Sequence, residues 1–193
     1  MTTTSYKAMR RMLAARERIA CKSDWLRTVI SAAPLVEHRL GISIMGIDGW
    51  TVYYDPDWFA QFDAYVEGCL LHEYLHGMCD HIGRRGDRDI GLWNVAADYA
   101  INPIASKLFD MPRQLTLLNP RFAGMSVEAI YDTLGGRDRG IGHGLGVALA
   151  GLPPDLSGKP LQTARRKWRG LIAAAGEPPG YLKTAIDETI AAR

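Results

Sequence analysis

Cysteine is scarce in this 193-residue chain, and the three present, Cys21, Cys69 and Cys79, form no Cys-x-x-Cys pair. An odd, unpaired set suggests neither a disulfide framework nor a zinc ribbon, so reduced thiols in a cytoplasmic setting are expected. No apolar run approaches the 18 or so residues of a membrane span, and the N-terminus enters an Arg-rich amphipathic stretch without an apolar signal core. A soluble chain with no membrane partner is the expectation. Charge of one sign is also lacking: 23 Lys and Arg against 21 Asp and Glu leave a formal net charge of +2. That balance makes nucleic acid an unlikely partner, and the local clusters Arg10/Arg11/Arg16/Arg18 and Arg165/Arg166/Lys167/Arg169 read as solvated helix faces. Neither Asp55/Asp57 nor Asp87/Asp89 lies in a twelve-residue calcium loop closed by Glu, so turns and caps account for them better. Gly140 to Gly146 lacks both the preceding strand and the Lys-Ser/Thr of a phosphate-binding loop. No internal repeat is visible.

What the chain does have is 47% hydrophobic residues, enough for a real core, and one run that decides the reading: His72-Glu73-Tyr74-Leu75-His76. Residues four apart on a helix face the same way, about 6 Å apart along the axis, so two imidazoles can reach one Zn²⁺. Glu73 is then placed to activate a metal-bound water rather than to ligate. Phe62, Val66, Cys69, Leu70, Leu75 and Met78 predict a buried helix of about 20 residues ending before Gly83.

Around that helix, residues 5–33 show helical apolar spacing up to Pro34 and predict one or two N-terminal helices lying as a lid over a sheet. Ile42, Ile44, Ile47 and Thr51-Val52-Tyr53-Tyr54 about Asp48-Gly49 predict a hairpin, whose strand Thr51 to Tyr54 could offer an edge to an extended peptide. Gly83 to Gly91 reads as a loop, and Leu92 to about Lys107 as a helix kinked or ended at Pro103, with Asp98 in its middle. Ser126 caps a short helix to Leu134. Gly135 to Gly158 is Gly- and Pro-rich, and the chain from Leu161 turns helical again with a break at Pro178-Pro179-Gly180. The expected domain layout is 1–135 for the site-bearing domain, 136–160 for a connector and 161–193 for a C-terminal helical extension.

A catalytic zinc takes three protein ligands and keeps a fourth position open, so His72 and His76 need a third donor. Asp98, 22 residues after His76 on the next helix, is favoured; His81 is the alternative and requires the helix to break early, since it falls about 140° around the axis from His76. Asp80 continues the row but lies about 12 Å from His72 along a straight helix. Asp98 could also act by orienting a histidine. Tyr99, Tyr131 and His143 are candidate oxyanion donors, though each has a simpler role as a core or loop residue.

Three stretches carry a resemblance. They are Asp48-Gly49 with Tyr53-Tyr54-Asp55-Pro56; Leu71-His72-Glu73-Tyr74-Leu75-His76 with His81 and Arg84; and Trp93-Asn94-Val95-Ala96-Ala97-Asp98-Tyr99-Ala100-Ile101-Asn102. In these the chain resembles the bacterial putative metallopeptidase domain often found before a von Willebrand factor A-like domain, over roughly residues 5–135 with a weaker echo around Trp168. The resemblance implies an α+β, mostly helical, zincin-like core with a small sheet or hairpin packed on the active-site helix. It further implies one Zn²⁺ per chain bound by the two histidines, Glu73 as acid/base, and motif positions for both His81 and Asp98. No von Willebrand-like domain or its Asp-x-Ser-x-Ser signature occurs before Arg193, so a separate protein partner is expected to supply that role if it exists. The function expected is a zinc hydrolase acting on peptide or protein substrates. A catalytically silent zinc-stabilised binding or assembly module is the alternative, and a phage- or defence-associated nucleic-acid-binding regulator a weaker third.

Overall fold

The computed structural model describes residues 3–38, 45–58, 62–135 and 155–191. Ile42, Ile44, the Gly140 to Gly146 run with His143, and residues 136–154 of the expected 136–160 connector lie outside them. The architecture is α+β and mostly helical, with one small sheet. Helices α1 (Thr3–Ala20) and α2 (Asp24–Ile30) lead into strands β1 (Leu35–Glu37), β2 (Met45–Ile47) and β3 (Val52–Tyr54). After a 3₁₀ turn at Asp63–Tyr65 come α3 (Val66–Met78), α4 (His81–Arg85), α5 (Ile90–Leu108), α6 (Val127–Gly135), α7 (Gly158–Ala175) and α8 (Gly180–Ala191).

Helix α3, which bears the His-Glu-x-x-His run, is the hub. It packs against α1, α5, β2 and α7, and every one of its residues except His76 is buried. A helix apolar nearly all round belongs in a protein interior, and neighbours on each side make it one.

The N-terminal helices do not form a lid over the sheet. Ala8, Met12, Ala15 and Ile19 form the buried stripe of α1, which lies mainly against α2 and α3 and meets the sheet at β1, where the Ser5 hydroxyl donates to Glu37 Oε1 at 2.9 Å. Nor are the basic clusters simply solvated. Arg11 pairs with Glu67 at 2.8 Å and with Asp63 at 2.8 Å, and Arg18 pairs with Glu67 as well, so α1 grips the first turn of α3. Arg165 is tied to Asp80.

The hairpin forms as its turn residues require. Asp48 Oδ1 accepts from the amides of Trp50 (2.9 Å) and Thr51 (2.8 Å), Oδ2 accepts from the Tyr53 hydroxyl (3.0 Å), and Gly49 takes φ 111°, a value that favours glycine. Strand β2 runs antiparallel to β3 with Ile47 opposite Val52, and β1 adds parallel on the other side with Leu35 opposite Val52. The order is β1-β3-β2, so β3 is the central strand. Its backbone is engaged on both sides, and it is not the open edge for a peptide that its sequence suggests. Strand β1 hides in the sequence because it is three residues long and directly follows Pro34.

Two boundaries shift for physical reasons. Helix α3 stops at Met78, short of Gly83, because Asp80 adopts φ 54°, ψ 36° and the chain restarts as α4. The expected loop therefore shrinks to Gly86–Asp89. Its arginines hold it: Arg84 pairs with Glu128 of α6 at 2.7 Å, and Arg88 donates to the carbonyls of Arg84 and Arg85 and lies over Trp93. Asp89 then caps α5 through the Leu92 amide at 2.8 Å. Pro103 sits inside α5 without ending it; buried Ile101, Asn102 and Ala105 hold the helix in place despite the missing backbone donor.

Asp57 N bonds Asp55 Oδ1 at 2.9 Å, turn chemistry as expected. Ser126 Oγ accepts from the Ala129 amide and caps α6, which packs with α5 around Trp93, Phe122, Val127, Ile130 and Leu134. Trp168 and Ile172 of α7 and Leu182 and Ile186 of α8 enter the same core as α1 to α3. Trp168 covers the end of α3: it donates from Nε1 to Gly49 O at 2.8 Å, and a Cβ on Gly77 would fall 2.7 Å from its ring.

Gly77→Ala should therefore overpack this contact and cost about 1–3 kcal/mol, a fall of several degrees in Tm for a chain of this size, read by thermal melting. The Arg11–Glu67 pair makes a pH prediction. Burial alone would raise the Glu67 carboxyl, but hydrogen bonds from Arg11 and Arg18 outweigh it and hold the group below its usual 4.5. A lowered carboxyl contributes stability that is complete above pH 4.5 and fades as pH falls through the native value. Arg11→Ala should thus lower stability most near neutrality, and the difference from wild type should shrink as pH falls below 4.5, read by chemical unfolding at pH 7 and pH 3.

Candidate metal centre

Two of the site's side chains come from one helix face. His72 and His76 sit one turn apart on α3, and their Nε2 atoms lie 3.0 Å from each other. The third comes from α5, which packs along α3 and presents Asp98, fully buried, with Oδ1 3.4 Å from His72 Nε2 and 3.2 Å from His76 Nε2. These three are a group of potential metal-ligating side chains whose donor atoms lie within 4.8 Å of one another.

The spacing has a physical meaning. Four donors around one ion at 2.0–2.1 Å stand about 3.3–3.4 Å apart along the edges of a tetrahedron. The three observed separations are close to that, so a small divalent ion fits the triangle.

The proton inventory agrees. Asn102, one turn beyond Asp98 on α5 and fully buried, donates from Nδ2 to Leu117 O at 3.0 Å, which turns its Oδ1 toward His72 Nδ1 at 2.8 Å. An acceptor there requires His72 to carry its proton on Nδ1, leaving Nε2 as a lone pair facing the cluster. His76 has its Nδ1 3.0 Å from His81 Nδ1. A proton on His76 Nδ1, given to His81, leaves His76 Nε2 bare as well. Two lone pairs and a carboxylate oxygen then converge with no hydrogen between them, an arrangement that favours a cation.

The electrostatics follow from burial. His72 is pushed down to about 4, chiefly by desolvation and secondarily by its neighbour His76, against the pull of Asp98. His81 is held well below the usual imidazole range for the same first reason, reinforced by His76 and Arg84. His76 goes the other way: burial lowers it, but its hydrogen bond and attraction to Asp98, with help from Glu73 and Asp155, leave it raised. Glu73, buried beside His72, is raised to about 7 by desolvation, with Asp98 adding to the rise and His76 opposing it. Proton exchange near neutrality suits an acid/base group.

The structure gathers His72, His76 and Asp98 and puts Glu73 on the same helix. It places His81 beside them, but on the outer nitrogen of His76, the one pointing away from Asp98. The early helix break that a ligating His81 would need does occur, and it delivers His81 to a different position. Asp80 is engaged with Arg165 Nε at 2.6 Å. Tyr131 accepts the Asp89 amide at 3.1 Å, and Tyr99 packs on Phe122; both belong to the α5–α6 cluster. Sequence reasoning did not single out Asn102 for a role, although it lies four residues after Asp98, on the same helix face. That spacing was the available signal.

A comparison with protein families finds a model described as a putative metallopeptidase domain that matches residues 5–155. No curated protein and no solved structure matches the chain. The family match spans the hairpin, the His-Glu-x-x-His helix and the helix that brings Asp98 to it, and by it the chain belongs to the putative metallopeptidase domain family.

Proposed function

We propose that this chain is a zinc-dependent metallopeptidase with a zincin-like core. His72, His76 and Asp98 hold one Zn²⁺ per chain, and Glu73 serves as its general base and acid. The observation that carries the reading is the spacing of the three buried donor atoms, 3.0, 3.2 and 3.4 Å apart. His81 takes the part of an orienting neighbour to His76, as Asn102 does to His72.

A zinc ion held there supplies Lewis acidity toward the scissile carbonyl and makes water a better nucleophile near neutral pH. The chain's residues do the rest. Glu73, with its carboxyl poised near neutrality, takes a proton from the attacking water as the new C–O bond forms. It returns that proton to the amide nitrogen as the C–N bond breaks, so the products are a carboxylic acid and an amine. Asn102 and His81 keep each imidazole in the tautomer that leaves Nε2 free.

Two features favour catalysis over a metal-stabilised binding module. A closed structural zinc site takes four protein donors, and among the described residues three come together. A structural site also has no use for a buried, neutral-range carboxyl one residue from a ligand. The substrate class is a peptide or protein. The free thiols, one exposed and two buried, fit a reducing cytoplasmic setting.

Elemental analysis of protein purified without chelator should return one zinc per chain. Asp98→Ala should lose it, whereas His81→Ala should keep the stoichiometry and bind about 10–100-fold more weakly; zinc lost equally in both would make His81 a ligand. Glu73→Gln should bind zinc as the wild type does and cleave a peptide library about 10²–10⁴-fold more slowly. Cleavage at the wild-type rate would remove Glu73 from the chemistry. Because a proton competes with the metal at His76, whose value is raised, zinc affinity should begin to fall above pH 6.5 as pH is lowered. Equilibrium dialysis across pH 5–8 would measure this.

A further inference from the structure

The end of the site helix is held by a segment beyond the family match. Helix α3 stops at Met78, and Asp80 adopts φ 54°, the single left-handed non-glycine residue among those described. Left-handed backbone is unfavourable for any residue with a Cβ, although Asp tolerates it better than most. The turn matters because it redirects His81. On a continuous helix His81 would point about 140° away from His76, whereas here the two rings meet Nδ1 to Nδ1 at 3.0 Å.

Helix α7 presses on both sides of this break. Trp168 seats against Gly77, one residue before the helix ends, and Arg165 Nε donates to Asp80 Oδ2 at 2.6 Å. Gly83 leaves room for the pair: a Cβ there would fall 2.4 Å from Asp80 Oδ1 and 2.8 Å from Arg165 Nε. The Arg84 amide closes the turn on Asp80 O at 2.8 Å. Trp168, Arg165, Gly83 and Arg84, none of them in the donor cluster, thus converge on one backbone turn.

We propose that Arg165 is a positioning residue for the metal centre: through Asp80 it holds the left-handed turn that seats His81 on the outer nitrogen of His76. Arg165 acts on the ligand's orientation and touches neither substrate nor metal. The functional meaning of this inference rests on the metal reading above, but the geometry it asserts exists in the metal-free chain too.

Glycine gives the decisive variant, since it takes φ 54° without cost and needs no partner to hold it. If Arg165 merely docks α7, Asp80→Gly cannot repair its loss, because that change removes the ion pair from the other side. If Arg165 holds the turn, it can. The experiment uses the full chain with Co²⁺ as probe, reading affinity and the visible absorption of the bound ion, together with nuclear Overhauser contacts between the His76 and His81 rings in metal-free protein. Arg165→Ala should weaken Co²⁺ binding about 10-fold, alter the cobalt spectrum and lose the ring contact. Arg165→Lys should keep most of each. The double variant Asp80→Gly/Arg165→Ala should recover the affinity, spectrum and ring contact while its Tm stays as low as that of Arg165→Ala. Unchanged ring contact and affinity in Arg165→Ala, or a double variant as impaired as the single, would overturn the inference. A wild type that binds no Co²⁺ would overturn the metal reading instead, and the ring contact would still decide the role of Arg165.

Discussion

Two imidazole nitrogens and a carboxylate oxygen face one another inside the protein, and the surroundings are arranged around the cost of keeping them there. A carboxylate at zero exposure is strongly disfavoured unless positive charge answers it. Asp98 draws His76 upward from the usual imidazole value, and in the proposed enzyme a divalent ion answers the carboxylate. Either way α3 and α5 must stay in register to a fraction of an ångström, and the apolar packing on every side of α3 serves that requirement.

The neighbours of α3 contribute in different ways. Helix α1 fixes its first turn through Arg11, Arg18 and Glu67. The hairpin packs against it through β2, and the hairpin's own turn is locked by one carboxylate, Asp48. Helix α7 controls where it ends. Asn102 and His81 work at closer range, Asn102 on the outer nitrogen of His72 and His81 on that of His76. The site is therefore a layered object: three potential donors, two groups on the outer nitrogens of its histidines, and a helix break beside one of those groups.

Much of this was legible along the chain. The run His72 to His76 announces a metal pair because i, i+4 spacing puts both rings on one face, and Asp98 announces itself as a carboxylate in the middle of a second buried helix. The hairpin could be read from Asp48-Gly49 between apolar strands. Other features were hidden for identifiable reasons. Gly- and Arg-rich composition made residues 83–91 look like a loop, since nothing local reveals that Arg84 meets Glu128, 44 positions away. Strand β1 is too short for any periodicity. The central place of β3 depends on β1 pairing with it, so the strand's sequence suggested an open edge that the fold closes.

Sequence alone determined the chemical vocabulary: a histidine pair at metal-ligand spacing, a carboxyl beside it, a second carboxyl on the next helix, and a chain that is α+β and mostly helical. These follow from local spacing, which the 3.6-residue turn converts directly into direction. Only the tertiary structure decided how the words combine. Whether His81 joins His72 and Asp98 or meets the outer nitrogen of His76 depends on the backbone at Asp80, which pairs with an arginine 85 residues further on. Asn102 acquires its role because Leu117 O fixes which way its amide points. Such outcomes turn on contacts between residues distant in the chain, and local periodicity carries no information about them.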